Sequence, residues 1–482
     1  MSWVARETAS HRDTDRLAHP TQSAPSRKGC ASSRARALAL ALLVGCGPSA
    51  ATPASETTSS RTTSSTSSTS STSSSTSRAD GTVHAGRRPL DARERAALDG
   101  LIAATEQARD LTFVAPVRAF VESPEAIEAH ASTLLDDEEL EKTSLLYGGL
   151  GLLPPELDLR PHFLALLGEQ VLGYYDSERV FLVLRDEVAH VLATRPGSPS
   201  ALDARLVVVH ELTHALQAQR LRLAELQQQE RDSDPEVALH ALVEGDAMLA
   251  MLVDLSTKLG VPVARLVTDD AIDELAANAA SGGGDALEAA PPIVRVSLVA
   301  PYVAGLRFVR TLHARGGWRA VDAAFAQLPA STAQVLHPEL YLRGEAPEAI
   351  ELPPFPSLDA AGFSAVDEDT LGELDLSVFL ARGTPRDTHP GAAEGWTGDR
   401  VRLYRRGDAA AIVWLVRFRD GREAIEAEAE LRRIAVPNER FRRRDRALLV
   451  LRHVPEDAAR EVEAWFDASV GAPSPHATQA AR

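Results

Sequence analysis

The stretch VVVHELTHALQAQ occupies Val207–Gln219, near the middle of a chain of 482 residues, and it decides how the rest of the sequence is interpreted. Three β-branched apolar residues lead directly into His210, Glu211 and His214. Because Leu202–Leu223 contains neither Gly nor Pro, we predict one long helix there. Four helical residues turn about 400°, so the two histidines project from one face with the glutamate beside them.

The H-E-x-x-H spacing favours a zinc site over a coincidental arrangement. Two imidazoles one turn apart can bind one Zn²⁺ at about 2.0–2.1 Å, and the carboxylate between them can take a proton from the attacking water. A solvated helix face would not normally follow three valines, and a buried face with unmatched histidines would suffer a large desolvation penalty. We therefore predict that His210 and His214 bind Zn²⁺ and that Glu211 is catalytic.

A third protein ligand is expected on a second helix, because a zinc site that keeps one position for water needs three. Gln217 and Arg220 stand where the metzincin pattern would place Gly and His, so that branch is excluded. The sequence predicts the second helix from Asp234, as its N-cap, to Gly260. Within it, Glu244 is a carboxylate on an apolar stripe, so it should be paired or coordinating.

His240, one turn before Glu244, is the competing ligand. A site of three histidines would leave the glutamate uncoordinated among apolar residues, which is costly unless the carboxylate is otherwise paired. We therefore predict Glu244 as the metal ligand and His240 as a neighbour that can hydrogen-bond to it. Gly245 would let another backbone approach closely. Asp246, about 200° of helix beyond Glu244, is expected to point away from it.

The order of these motifs resembles a known family. H-E-x-x-H followed by a glutamate on a later helix resembles the gluzincin arrangement, and LVEGDAMLA (242–250) resembles the E-G-x-A segment of zinc aminopeptidase-like gluzincins. Residues 150–345 also resemble largely uncharacterised secreted bacterial zincins, which carry a GYYD hairpin, HELTHALQ, EGDA and an STxQxLHPxxY segment, here Ser331–Tyr341. The resemblance implies a zinc metallopeptidase in which Glu211 accepts a proton from water and passes it to the leaving amine.

The chain departs from better-known gluzincins in its spacing, since Glu244 lies 30 positions after His214, and in having Met248 where thermolysin-like members use Asp. The oxyanion needs a donor besides the metal, and His337, Tyr341 and Tyr302 are candidates. A histidine before proline is also a common turn residue.

The candidate edge strand for pairing with extended substrate is Val180–Leu184. An ordinary core strand at this position is an equally good interpretation.

The N-terminal region is predicted to export and anchor the protein. Arg34 and Arg36 precede an apolar run that ends at Cys46, and LVGC resembles the bacterial lipobox, in which the cysteine is lipidated. An ordinary signal peptide with an incidental cysteine is the alternative. Residues 1–46 would form the lipoprotein signal region, and residues 47–88, rich in Ser and Thr, a disordered linker.

Charge limits the range of partners. The net charge of −17, from 51 Lys+Arg and 68 Asp+Glu, disfavours nucleic acid as a partner. We expect contact with a membrane only through the N-terminal lipid anchor, which places the protein in the bacterial cell envelope outside the cytoplasm. The expected partner is a peptide or protein substrate.

The predicted fold is α+β and mainly helical. We expect a zincin-like catalytic domain with a small sheet at 89–355, an irregular connector at 356–399, a small ββαββα module at 400–470 and a flexible tail at 471–482. The predicted function is hydrolysis of peptide bonds by a lipid-anchored zinc metallopeptidase. Two alternatives stay open: a zincin-fold binding or scaffold lipoprotein without turnover, and a zinc hydrolase of a non-peptide or cell-wall amide.

Overall fold

The computed structural model describes residues 86–177, 179–282, 284–382, 391–434 and 436–469. The predicted signal region with Cys46, all but the last residues of the linker, and the C-terminal tail lie outside the described residues. Within that part of the chain the fold is α+β and mainly helical, with two small sheets, as the sequence predicts.

The helices fall into a long central group and many short connecting ones. Numbered in chain order, α1 to α18 span Ala92–Arg109, Pro124–Leu134, Asp137–Gly149, Leu159–Gln170, Asp186–Thr194, Pro199–Arg220, Leu223–Gln227, Ser233–Leu259, Val263–Leu266, Asp269–Gly282, Gly284–Glu288, Pro292–Ala326, Thr332–Leu336, Pro338–Arg343, Pro356–Ala360, Gly372–Leu380, Gly421–Ile434 and Glu456–Ser469. Helices α1, α6, α8 and α12 pack on one another around one apolar core. The helix predicted at 202–223 is α6, and its apolar face is buried in this core.

The first sheet has the strand order β1-β2-β4-β3, with β1 Arg87–Pro89, β2 Ala119–Glu122, β3 Gly173–Asp176 and β4 Phe181–Arg185. The hairpin predicted from GYYD is confirmed, because β3 and β4 pair antiparallel. The prediction of an edge strand at Val180–Leu184 is wrong: β4 lies inside the sheet, since β2 pairs with its other side in parallel. Strand β2 lies about 60 residues before β4 in the chain, and the local sequence of β4 does not indicate pairing with so distant a strand. The edge strand next to α6 is β3.

The second sheet has the order β5-β6-β7-β9-β8. Its strands are Ser364–Asp369, Trp396–Arg406, Ala409–Phe418, Glu439–Arg444 and Ala447–Arg452, numbered β5 to β9 in chain order. From β6 onward the element order is ββαββα, in a sheet that also includes β5 from before the predicted module. The irregular connector predicted at 356–399 is wrong, because that segment contains α15, β5 and α16. Strand β5 reads SAVDED, and a polar edge strand lacks the apolar alternation by which strands are recognised.

The predicted starts of the two site helices are both shifted. Helix α6 begins after Ser198, whose hydroxyl accepts from the Ala201 backbone N–H, rather than at the predicted Leu202. Helix α8 begins at Ser233, and the carboxylate of Asp234, predicted as its cap, instead accepts from the backbone N–H and hydroxyl of Thr332. The predicted end of α8 at Gly260 is confirmed by its left-handed backbone, with φ 67°.

Helices α8 and α12 cross at two glycines. A Cβ placed on Gly245 would lie 2.2 Å from the backbone of Gly305, and one on Gly305 would lie 2.0 Å from the carbonyl oxygen of Ala241. The prediction that Gly245 permits close approach of another backbone is therefore confirmed. The crossing brings the part of α12 around Gly305 against Ala241 and Gly245, which flank Glu244 on α8.

Helix α12 is long and apolar enough to cross a membrane by length and composition, but 72% of its apolar window is buried inside the protein. It bends at Gly316 and Gly317, whose backbone angles are not helical. Its burial is that of a core helix.

Candidate metal site

The centre of α6 presents three buried groups that could hold a metal ion. The ligand atoms of His210, Glu211 and His214 all lie within 4.8 Å of one another. The two histidines are one turn apart on a face that is packed against α8. The pattern that the sequence offers as a metal motif is therefore assembled in the fold, although the identity of an ion does not follow from these contacts alone.

Glu244 of α8 meets the two histidines. Its Oε2 lies 3.0 Å from Nε2 of His210 and 3.6 Å from Nε2 of His214, and the two Nε2 atoms are 3.1 Å apart. Ligands at about 2.0–2.1 Å in a tetrahedral arrangement would be about 3.3–3.4 Å from one another. Oε2 of Glu244 and the Nε2 atoms of His210 and His214 thus form a triangle, called the metal triangle below. Its edges are within a few tenths of an ångström of the separations between three ligands of a tetrahedral zinc ion.

The electrostatics of this triangle favour a cation. Burial alone would raise the pKa of Glu244, but the imidazoles of His214 and His210 outweigh it and hold that pKa below its usual range. Burial lowers the pKa of His210. His214 is also penalised by burial, yet Glu244 and Glu211 raise its pKa to about 9. A positive charge therefore stabilises the close approach of Glu244, His210 and His214. A proton can supply this charge, and a bound metal ion would supply it in place of the proton.

Glu211 is held differently from Glu244. Burial raises its pKa to about 8, with a further upward contribution from Glu244 and opposing ones from His214 and the backbone amide of Tyr175. Neither carboxylate oxygen makes a well-formed hydrogen bond with a described group. On its other side lies β3, where a Cβ on Gly173 would be 3.7 Å from Cγ of Glu211. The Glu211 carboxylate is thus close to the edge strand β3 and has few hydrogen-bond partners among the described residues.

The whole site is enclosed. The exposed fractions are 1% for His210, 1% for Glu211, 3% for Glu244 and 7% for His214. A substrate therefore reaches these groups only if part of their cover moves.

Tyr302 is the one predicted oxyanion candidate that lies against the metal triangle. Its ring stacks on that of His210, with centroids 6.1 Å apart and planes inclined by 26°. It lies on α12 one turn before Gly305, so the close crossing of α8 and α12 fixes its position. The position suits a donor to a group bound between the two helices.

His337 and Tyr341 lie elsewhere. The ring of His337 pairs with Glu373 of α16, Nε2 to Oε1 2.7 Å, and it lines a pocket with residues of α14 and α17, none of which belongs to the metal triangle. The hydroxyl of Tyr341 donates to the carbonyl of Gln327 at 2.7 Å. The catalytic role predicted for His337 therefore finds no support in its contacts, since Glu373 already accounts for the position of its ring.

His240 is buried one turn before Glu244, and neither of its ring nitrogens has a hydrogen-bond partner among the described residues. Its Nε2 lies 3.8 Å from Glu236 Oε1, one turn earlier on the same helix. The fold thus brings Glu244, and not His240, into contact with His210 and His214.

Sequence reasoning missed the contacts that Gln217, Asp246 and Arg109 make behind the site. The Gln217 amide contacts Nδ1 of His214 through its oxygen and donates to Asp246 through its nitrogen, and Asp246 in turn pairs with Arg109 of α1. Asp246 does point away from Glu244, as expected, but towards another part of the same site. A signal for Gln217 exists in the sequence, because it stands three residues after His214 and so shares its helix face.

The fold and the site define an α+β, mainly helical protein with a buried His–Glu–His group able to hold a metal ion. Residues 360–467 match a family described as a domain of unknown function (DUF8575), which covers β5 to β9, α16, α17 and all but the last two residues of α18. No curated protein matches the chain, and no solved structure matches it. The matched segment starts after the metal triangle, so it carries no information on that site.

Proposed function

We propose that the protein is a gluzincin-type zinc metallopeptidase that hydrolyses peptide bonds. The observation that carries the proposal is the triangle of His210, His214 and Glu244, whose edges of 3.0, 3.1 and 3.6 Å match the ligand separations of a tetrahedral zinc ion. Two imidazoles and one carboxylate are the ligand set of zinc peptidases that keep a fourth position for water. The softness of this donor set favours zinc over magnesium or calcium.

Glu211 is the general base in this proposal. A zinc ion in such a site supplies Lewis acidity and makes water a stronger acid. Glu211 accepts the proton of the attacking water and then delivers it to the leaving amine. A pKa raised to about 8 by burial suits a carboxyl that must both take and release a proton near neutral pH.

Strand β3 is the element that supports a peptide substrate. It is an edge strand whose ladder partner is β4, and it runs beside Glu211 through Gly173 and Tyr175. An extended peptide added to its outer edge would run past the carboxylate and the metal triangle. The residues that cover the buried site would have to move before a peptide could pair with β3.

The proposal places the protein outside the cytoplasm, held to a membrane by lipid on Cys46. The apolar run before Cys46 and the Ser/Thr-rich segment after it are the sequence support, and both lie outside the described residues. Mass spectrometry of the native protein should find an N-terminal, lipid-modified Cys46. A soluble secreted form with a free thiol at that position rejects the anchor.

The function is tested by incubating the purified full-length protein, with and without zinc, with a mixed peptide library and with peptidoglycan. Zinc-dependent cleavage of peptides supports the proposal. Cleavage of peptidoglycan alone supports a cell-wall amidase instead. A protein that binds one zinc ion per chain and cleaves neither substrate is the scaffold lipoprotein, and one that binds no metal contradicts all three.

A further inference from the structure

The metal triangle is backed by a continuous chain of buried polar contacts. Nδ1 of His214 lies 2.8 Å from Oε1 of Gln217, and Nε2 of Gln217 donates to Oδ2 of Asp246 and to the carbonyl of Val243, both at 2.9 Å. The three side chains of Gln217, Asp246 and Arg109 are all fully buried. Their burial removes these side chains from bulk solvent, so each group depends on its protein partners.

These contacts allow only one orientation of the Gln217 amide. A carboxylate and a carbonyl can only accept hydrogen bonds, so the amide NH₂ must face Asp246 and Val243. The amide oxygen is then left facing His214, and an oxygen can only accept, so Nδ1 of His214 must carry the proton. A neutral imidazole with its proton on Nδ1 presents the lone pair of Nε2, and that is the atom turned towards His210 and Glu244.

The amide is in turn held by an anchored carboxylate. Oδ1 of Asp246 pairs with Nε of Arg109 at 2.6 Å, and Nη2 of Arg109 donates to Oδ1 of Asp322 at 2.5 Å. The Arg109 guanidinium also lies over the ring of Trp318, 4.4 Å from its centroid. Residues of four helices, α1, α6, α8 and α12, therefore hold the Gln217 amide in one orientation.

We propose that Gln217 is a positioning residue that sets the tautomer and the ring orientation of His214, and that Asp246 and Arg109 act through it. The inference rests on the proposed function, because a tautomer matters only if Nε2 binds a metal. In most metal sites a carboxylate or a backbone carbonyl takes the second ring nitrogen of a histidine ligand. Here a neutral amide lies between the histidine and the carboxylate, so the charge of Asp246 is kept one residue away from the ligand.

The test compares two glutamines on the same helix. Gln217→Met keeps the length of the side chain and removes its hydrogen bonds, while Gln219→Met is the matched control, because Gln219 bonds only the backbone at Val114 and Ala115 among described residues. Zinc affinity of the purified full-length protein is measured by competition with a chromophoric chelator, and the absorption spectrum is recorded with Co²⁺. Removing such a partner typically costs about 10- to 100-fold in metal affinity.

We expect Gln217→Met to bind zinc about 10- to 100-fold more weakly and to shift the Co²⁺ bands, with the helical content of the parent retained. Gln219→Met should match the parent. Equal affinity and equal spectra for Gln217→Met and the parent would overturn the proposal, because a side chain needed only for packing leaves both unchanged.

A second measurement needs no variant and therefore holds even if Gln217→Met fails to fold. Nitrogen NMR of the parent labelled with ¹⁵N-histidine should show the ring of His214 protonated at Nδ1, both with zinc and without it. A zinc-bound or neutral His214 ring without a proton on Nδ1 contradicts the inference. A parent protein that binds no metal rejects the proposed function, and the tautomer of the neutral ring, recorded above pH 9, then still decides whether Gln217 orients it.

Discussion

Two buried carboxylates, Asp399 of the C-terminal sheet and Glu211 of the helical region, have opposite hydrogen-bonding environments. In the C-terminal sheet, Asp399 accepts four hydrogen bonds, from the backbone N–H groups of Leu371 and Gly372 and from the indoles of Trp396 and Trp414, at 2.8–3.0 Å. In the helical half, Glu211 is as deeply buried, yet neither of its oxygens makes a well-formed hydrogen bond with a described group.

Under the proposed function, the difference separates a structural carboxylate from one that takes part in the reaction. A buried acceptor with all its partners in place stabilises one arrangement of the chain. A buried acceptor without partners costs stability, and such groups concentrate where a ligand or a reaction completes the set. Glu211 and Asp399 should therefore respond in opposite ways to the same conservative change.

The largest expected effect is that of Glu211→Gln on turnover. The amide cannot accept the proton of water, so we expect kcat to fall by about 10²- to 10⁴-fold. Zinc affinity and the free energy of unfolding should be kept, because Gln has the shape of Glu and its amide oxygen can still accept from the backbone N–H of Tyr175. Peptide cleavage and chemical denaturation measure the two quantities, with Glu225→Gln, an exposed pair of Arg222, as the control. Parent-like turnover in Glu211→Gln would remove the general base from the mechanism.

Next in size is the effect of Glu244→Ala on metal binding. It removes one of three ligands and should lower zinc affinity more than the 100-fold that is typical for the loss of a group behind a ligand. His240→Ala should lower it far less, since His240 makes no described contact with His210 or His214. Chelator competition on both variants gives the order. The reverse order would make the site a three-histidine one and end the gluzincin assignment.

A smaller loss is expected for Tyr302→Phe. If its hydroxyl supports the oxyanion, kcat should fall by about 10²-fold with zinc affinity unchanged. Tyr341→Phe is the matched control, because that hydroxyl donates to the carbonyl of Gln327, away from the triangle. Steady-state kinetics of the two variants decide between them. A larger loss of kcat in Tyr341→Phe would instead assign oxyanion stabilisation to the segment that contains His337 and Tyr341.

The smallest effect is that of Asp399→Asn on stability, and it completes the comparison. One amide group cannot accept from four N–H donors, so the variant should lose about 2 kcal/mol of unfolding free energy. Zinc affinity should be that of the parent, and Asp408→Asn in the exposed turn between β6 and β7 should change neither quantity. Urea denaturation measures the loss. If Glu211→Gln proves more destabilising than Asp399→Asn, the distinction between the two carboxylates is wrong.

The sequence predicts what depends on local spacing. The α6 helix with its two histidines, the β3–β4 hairpin and the close approach at Gly245 all follow from residues within a few positions of one another. The placement of Glu244 follows because an acidic residue on an apolar stripe needs a partner.

What the sequence does not predict depends on distant partners. The pairing of β2 with β4, the bond from Asp234 to Thr332 and the contact of Asp246 with Arg109 join segments 60 or more residues apart. Each of these residues could form several favourable local contacts, and the spacing of residues in the sequence does not show which contact it makes. The site therefore appears in the sequence as a motif, while the groups behind it appear only in the fold.

The bond between Arg109 and Asp322 spans 213 positions of the chain, and this sets the time at which the site is completed. During synthesis the N-terminal part of a chain is available first, and contacts between distant segments form late. The H-E-x-x-H helix can form before residue 322 has emerged, but the guanidinium that anchors Asp246 is not fully paired until then. An incomplete chain should consequently hold zinc loosely, and full affinity should arrive only with the finished helical core.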